Sequence, residues 1–432
     1  MDNLENLIAL SLAIVTGLSF ALLGPADFLL VALAAFVLIL VLLKPLYGLC
    51  FLAFSIPYAG ILQLAPKLTA NKLFALWVLA AFVFGALVKK ERIEIFSSNT
   101  IKYYVFFHFW LLVIFPFGFI NVDNIRGIIS KFFLLGMVFL IAAMPKDFKQ
   151  FKVVCIVTAA GSALMGMYTA FFGMDTLVGE YGTRLAAGTN ENVLAHALGV
   201  GLLLSLFALR GATMRTKVLI LILDIFTLYG ILLTGSRGTW LALFFSLVLF
   251  PLFTPKISLK KRLKYVFGGS LAIFVIYFGL TRYYFGQLGQ FVGARLAEHD
   301  SLTQAAGGRI DYIWPLYLEK FFQKPILGWG GGYTFNLDLA VHNDFLYIMV
   351  ESGIIGLGLF LLFFFYCLKD IMKSRDLTTR LQALILICFL VFSGLTHNTL
   401  TLKSFALAVG ALCFLAKMCN SEEKNSEGLA PL

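Results

Sequence analysis

Long unbroken apolar blocks make up most of this chain, and their length limits what it can fold into. They lie near residues 6–24, 27–43, 46–64, 73–88, 101–120, 127–144, 151–172, 192–209, 217–233, 238–253, 264–281, 345–367, 381–396 and 404–418. Most approach the about 17–25 residues that carry a helix across the hydrocarbon core of a bilayer. Hydrocarbon offers the backbone no hydrogen-bond partner, so only helices or closed barrels can span it. Because the blocks are continuous and do not alternate strictly, they are not barrel strands. Only 13% of the residues are charged, against roughly 25% in soluble domains. The expected fold is therefore an all-α polytopic membrane protein with about 12–14 transmembrane helices. A single transmembrane domain is expected over residues 1–419, with a disordered cytoplasmic tail over 420–432.

The start, "MDNLENLIALSLAIVTG", lacks the basic stretch and small-residue cleavage site of a secretory signal. It reads as a first spanning helix that is retained. Six cysteines lie mostly in apolar segments without metal or disulfide spacing, as packing residues do. The formal charge of +11 would suit nucleic acid, but its distribution argues for a different role. With the N-terminus inside, the cytoplasmic connections collect Lys89, Lys90, Lys146, Lys149, Lys152, Arg210, Arg215, Lys260, Lys261, Arg262, Lys369, Lys373, Arg375 and Arg380. That bias is an orientation signal. Both termini are then cytoplasmic, and nucleic acid is not needed as a partner.

The basic residues left on the outer side are informative. Arg184 lies in the loop "GMDTLVGEYGTRLAAGTNEN", and Arg237 in the short turn "TGSRGTW". The longest connection, residues 282–343, carries Arg282, Arg295 and Arg309 before His342. Within it, Ile310, Trp314, Tyr317 and Phe321 recur at helical spacing opposite Asp311, Glu319 and Lys320. That pattern predicts a short amphipathic helix at the membrane surface, kinked by Pro315, with its aromatics at headgroup depth. "GWGGGY" supplies a tight return, and Asn343 or Asp344 caps the next span.

Guanidinium groups bind phosphate oxygens bidentately and stay charged, and neighbouring glycines admit a bulky ligand. Arg184, Arg237 and Arg309 therefore read either as one site for a lipid pyrophosphate or as interfacial residues. In the second case they snorkel, or pair with Asp175, Glu180 or Glu298. His342 reads either as a helix-entrance residue or as a general base, kept neutral by the nearby arginines. "EHD", Glu298 to Asp300, is a metal alternative. Asp224 and His108, both within spans, belong either to a proton pathway or to helix packing.

Four stretches carry a family resemblance: "GTRLAAGTNENVLAHAL", "LLTGSRGTWLAL", "GGRIDYIWPLYLEKFFQKPILGWGGGY" and "HNDFLYIMVESGIIGLG". In this order they resemble the O-antigen ligase and polysaccharide polymerase superfamily of bacterial inner-membrane glycosyltransferases. The resemblance implies a GT-C-like fold and an active site on the periplasmic face. It also implies a glycan donor on undecaprenyl pyrophosphate and no cofactor or metal. Arg237 and Arg309 match the family's pyrophosphate-binding arginines, with Arg184 assisting, and His342 matches its base. Asp344 receives no catalytic role. The acceptor would be lipid A–core for a ligase, or a second lipid-linked glycan for a polymerase. A transporter of lipid-linked oligosaccharide, from another class, should show matched repeats and a polar midplane.

Overall fold

A computed structural model describes residues 37–249 and 309–427, apart from gaps at 66–67, 92–95, 119, 178–182, 187–189 and 338–339. Positions 258, 260 and 264 are described singly. The helices are α1 (Pro45–Ser55), α2 (Ala70–Lys89), α3 (Asn99–Ile114), α4 (Val122–Ala143), α5 (Phe148–Phe172) and α6 (Glu191–Ala208). They continue as α7 (Met214–Thr234), α8 (Arg237–Leu249), α9 (Trp314–Gln323), α10 (Asp344–Met372), α11 (Leu377–Thr396) and α12 (Lys403–Glu427). Two small antiparallel hairpins interrupt them: β1 (Gln63–Ala65) with β2 (Leu68–Thr69), and β3 (Met174–Leu177) with β4 (Thr183–Ala186).

Nine helices among the described residues are long and apolar enough to cross a membrane. The polytopic all-α fold is as expected. The expected spans at 6–24 and, apart from position 264, at 264–281 lie outside the described residues. The block at 46–64 is not one span: α1 ends at Ser55, and a 3-10 turn at Ile56–Tyr58 leads into the first hairpin. Pro57 and Gly60 stop the helix where apolarity alone would have continued it. At the other extreme α12 runs on to Glu427, so residues 420–427 are helical and not the disordered tail that their polarity suggested.

Polar side chains set where the helices begin. Asn121, Asp147, Asn190, Thr213, Asn343 and Asp376 each accept a backbone N–H from the first turn that follows. Such caps satisfy donors that the helix leaves open. The basic end of the bundle is knitted together. Arg210 pairs with Asp376 at 3.1 Å, Lys152 donates to the Arg210 carbonyl at 2.8 Å, and Thr100 donates to Asp370 at 2.8 Å. His342, Arg237 and Arg309 all lie toward the opposite end, where α10 and α8 begin and α11 finishes.

Helix α10 is broken near its start. Gly353 has φ +63° and ψ −167°, so the helix kinks there. The break frees backbone groups that hydrocarbon could not satisfy. The glycine-rich loop satisfies them: Trp329 N–H donates to Val350 O at 2.9 Å, Gly330 N–H to Glu351 O at 3.0 Å, and Ile354 N–H to Pro325 O at 2.8 Å. The Trp110 indole closes the set on Ser352 O at 3.1 Å. A Cβ on Gly353 would lie 2.1 Å from Ile326 O, and one on Gly328 would lie 2.6 Å from Glu351. Gly328, Gly330 and Gly332 all have positive φ, so this loop needs its glycines for docking as well as for turning.

Beside the break, Glu351 is fully buried between Lys131 of α4 at 2.7 Å and the Thr334 hydroxyl at 2.6 Å. Removing one partner strands a buried charge, which costs about 3–5 kcal/mol. Lys131→Met should therefore lower thermal stability in detergent sharply, whereas the Lys131→Met/Glu351→Leu pair should recover much of it. Equal melting temperatures for wild type and Lys131→Met would refute this role.

Candidate active site

His342 sits in the short link before α10, half-buried, with φ +49°. A left-handed backbone at a non-glycine residue is uncommon and costs about 1–3 kcal/mol, so the surroundings must hold it. They do so on both sides. Upstream, the Trp314 indole donates to Val341 O at 3.1 Å. Downstream, the Asn343 side chain caps α10 by accepting from Phe345 N–H at 3.0 Å and Leu346 N–H at 3.1 Å. Asp344 is buried and reaches across to the turn between α11 and α12. It accepts the Thr399 N–H at 3.1 Å, the Leu400 N–H at 3.3 Å and, in a short bond, the Thr399 hydroxyl. Asn343 is thus the cap, and Asp344 anchors the link to a distant segment.

Arg309 opens a single π-helical turn, Arg309–Ile313, that leads directly into α9. Pro315 falls in the first turn of α9, where no N–H is missed, so it starts the helix where a kink was expected. The aromatic stripe also differs from expectation. Tyr317 and Phe321 are buried, with α9 packed on α10, so protein and not lipid covers them. An amphipathic pattern specifies an apolar face but not whether lipid or protein covers it. Docking α9 in this way places the Arg309 guanidinium next to the bundle, where Nη1 donates to Thr396 O at 3.0 Å.

Arg237 is the first residue of α8, after Gly235 ends α7 in the left-handed conformation at φ +59°. Gly238 packs against His397. A Cβ there would lie 2.1 Å from the imidazole Cε1 and 2.7 Å from Nδ1. The glycine after the arginine is thus required by an imidazole of the protein itself, although the sequence had suggested a ligand. His397 also contacts the Ser236 hydroxyl through Nε2 at 3.2 Å and the Thr396 hydroxyl through Nδ1 at 3.0 Å. Ser236 in turn donates to Asn192 Oδ1 at 2.8 Å, at the start of α6.

Arg309 is coupled electrostatically to Arg237 on one side and to His342 on the other. Burial, and then the Arg237 charge, lowers the pKa of Arg309 from its ordinary value, though a guanidinium remains charged. Burial, and then the Arg309 charge, lowers His342 to about 4. The imidazole is therefore neutral at physiological pH, with a lone pair available. Two repelling cations beside a neutral base form a site suited to a multiply charged anion and a proton-donating hydroxyl.

The remaining sequence-predicted residues fall elsewhere. Arg184 lies on β4, paired with Thr176 of β3, in a hairpin that contacts α6 and α7; its side chain lies outside the described residues. Glu298, Asp300, Arg282 and Arg295 lie outside them altogether. His108 is buried on α3 with Nδ1 on Tyr104 O at 2.9 Å and aromatic rings around it, as a packing residue is. Asp224 takes the Ser205 hydroxyl of α6 at 3.1 Å, a helix-to-helix contact within the spans. His397 was not anticipated. Its one sequence signal is that "THNTL" repeats the His-Asn pair of "VHNDF" at the far end of another span.

Fold and site together define a multi-pass membrane protein with a cationic, histidine-bearing cluster at one end of its helices. Residues 222–361 match the model of the O-antigen ligase family, a stretch that contains Arg237, Arg309 and His342. A protein of Rickettsia felis named "Putative polysaccharide ligase" is 24% identical over 316 residues, covering 66% of this chain and 72% of the relative. The family resemblance read from the motifs is borne out over that matched stretch. Arg184 and the Thr396–Leu400 turn fall outside it.

Because the Arg309 charge contributes to depressing His342, Arg309→Met should raise the His342 midpoint. Burial, the larger cause, should still keep it below the ordinary histidine value. NMR of ring-labelled histidine across pH 3–8 would show this, and an unchanged midpoint would separate the two residues electrostatically.

Proposed function

We propose that this protein is an O-antigen ligase-like glycosyltransferase that moves a glycan from undecaprenyl pyrophosphate to a hydroxyl of lipid A–core. The observation that carries the reading is the grouping of Arg309 with Arg237 and with a neutral His342. The family match over the same stretch and the printed name of the Rickettsia relative support a ligase-type glycan transferase. The basic residues gathered at the opposite end support a cytoplasmic assignment for that end, with both termini inside and the site periplasmic. A bacterial inner membrane is the setting that this chemistry requires.

In the proposed step His342 takes the proton of the acceptor hydroxyl. The hydroxyl oxygen attacks the anomeric carbon as the bond from that carbon to the pyrophosphate oxygen breaks. The bonding electrons leave with the pyrophosphate, whose growing charge meets Arg237 and Arg309, with Arg184 assisting from its loop. A single displacement inverts the anomeric centre and needs no covalent enzyme intermediate. Charge stabilisation comes from guanidiniums, so the reaction is proposed to be metal-independent.

A polymerase would use the same donor chemistry with a second lipid-linked glycan as acceptor. The ligase reading is preferred because both the family description and the relative's name specify a ligase. A transporter would use a broken helix to expose backbone at the midplane. Here α10 is broken, but its freed groups are taken up by the chain's own glycine-rich loop.

In reconstituted vesicles supplied with lipid-linked glycan and lipid A–core, Arg309→Ala should lower transfer at least about a hundredfold, as loss of one such charge-stabilising donor does. It should leave yield and melting temperature intact. Wild-type rates from purified Arg309→Ala would sink the assignment. A product that lengthens without lipid A–core would indicate the polymerase. Transfer should survive excess chelator. With His342 as base, the rate should fall as pH drops through about 4, where the imidazole protonates, and not near 6.5.

A further inference from the structure

The turn between α11 and α12, outside the stretch matched by the ligase family, touches Arg309 and the segments that carry Arg237 and His342. The Thr396 carbonyl accepts from Arg309 at 3.0 Å. The Thr399 and Leu400 N–H groups hold Asp344, two residues after His342, at 3.1 and 3.3 Å. Between them, the buried ring of His397 lies against Gly238 and reaches the Ser236 hydroxyl, on either side of Arg237. This one turn thus bonds to the Arg309 side chain, the Arg237 turn and the His342 link. We propose that this turn is a third component of the site, in which His397 is a positioning residue. It would clamp the Ser236–Gly238 turn so that Arg237 faces the ligand of Arg309.

The imidazole is held from both ring nitrogens, Nδ1 against the Thr396 hydroxyl at 3.0 Å and Nε2 against the Ser236 hydroxyl at 3.2 Å. The Ser236 hydroxyl also lies 2.8 Å from Asn192 Oδ1 and 3.2 Å from the Thr239 hydroxyl, and the Thr396 hydroxyl lies 3.2 Å from Ser393 O. Asn192 belongs to the first turn of α6, which Asn190 caps. His397 therefore joins the ends of α11, α8 and α6 behind Arg237. Its face rests on a glycine, so any side chain at position 238 would displace it. Like-charge repulsion between Arg237 and Arg309 pushes the two apart, and a clamp of this kind opposes that motion.

The inference rests on the reading of the arginines as a pyrophosphate site, and the test separates the two. Undecaprenyl pyrophosphate binding is measured by titration into purified protein in nanodiscs, alongside donor and acceptor KM in the transfer assay. His397→Ala should weaken donor binding about tenfold, within the range of coupled neighbours, and leave acceptor KM unchanged. His397→Gln, whose amide can still hydrogen-bond to Ser236, should recover most of the binding. His397→Asn, too short to reach, should not. Gly238→Ala should mimic His397→Ala. In an Arg237→Ala background, His397→Ala should cost nothing further. Wild-type donor binding by His397→Ala, or an undiminished loss in the Arg237→Ala background, would overturn the positioning role while leaving the arginine site standing. If His397→Ala does not fold, the Gln and Asn variants decide, and equal binding by the two refutes the clamp. Wild-type protein that binds no pyrophosphate would overturn the functional reading itself, and the inference with it.

Discussion

Two guanidinium groups held near one another at the end of a helix bundle repel, and the rest of the site is arranged to keep them there. Arg309 is placed by a helix that buries its aromatic face on α10 and is tied to the Thr396 carbonyl. Arg237 is placed by a left-handed glycine turn pressed against His397. Neither arrangement gains from the other's charge. An anion held between the two would offset the repulsion, and a diphosphate carries enough charge for two bidentate partners. Burial, with the Arg309 charge added, lowers the His342 pKa to about 4, so the imidazole proposed as base stays neutral.

The bilayer imposes the second constraint. A helix that breaks within reach of hydrocarbon must find partners for its freed carbonyls and N–H groups. Helix α10 breaks at Gly353, nine positions after its first residue and so about 14 Å below its start at 1.5 Å per residue. The segment from Pro325 to Gly332 fills that break, which fixes the loop that connects α9 to His342. Glu351, held by Lys131 and Thr334, locks the same junction electrostatically. The residue proposed to act as base thus owes its position to a buried ion pair nine residues away in sequence.

Much of this was legible beforehand, and the division follows interaction range. Local signals carried well: apolar block length located the nine described spans, and the Arg-Gly turn, the arginine-bearing loop helix and the His-Asn entrance marked residues that do come together. Signals that depend on a distant partner did not carry. Nothing local distinguishes an aromatic stripe that meets lipid from one that meets α10, as Tyr317 does. Gly353 looked like one more glycine in an apolar run, because its break is defined by the loop that fills it. His397 and Asp344 act across 161 and 55 residues to reach Ser236 and Thr399, separations that no short motif encodes. Arg184 was legible only as far as its backbone, which lies in a hairpin against α6 and α7.

The central claim is that one anion bridges Arg237 and Arg309 within reach of His342. The most direct measurement is an electron cryo-microscopy structure of the full chain in a nanodisc with undecaprenyl pyrophosphate bound. Diphosphate density is expected in hydrogen-bonding contact with both guanidiniums, with the phosphate distal to the lipid, whose oxygen bore the glycan, on the side of the imidazole. Diphosphate bound elsewhere on the protein, with the two arginines contacting only protein or solvent, would contradict it.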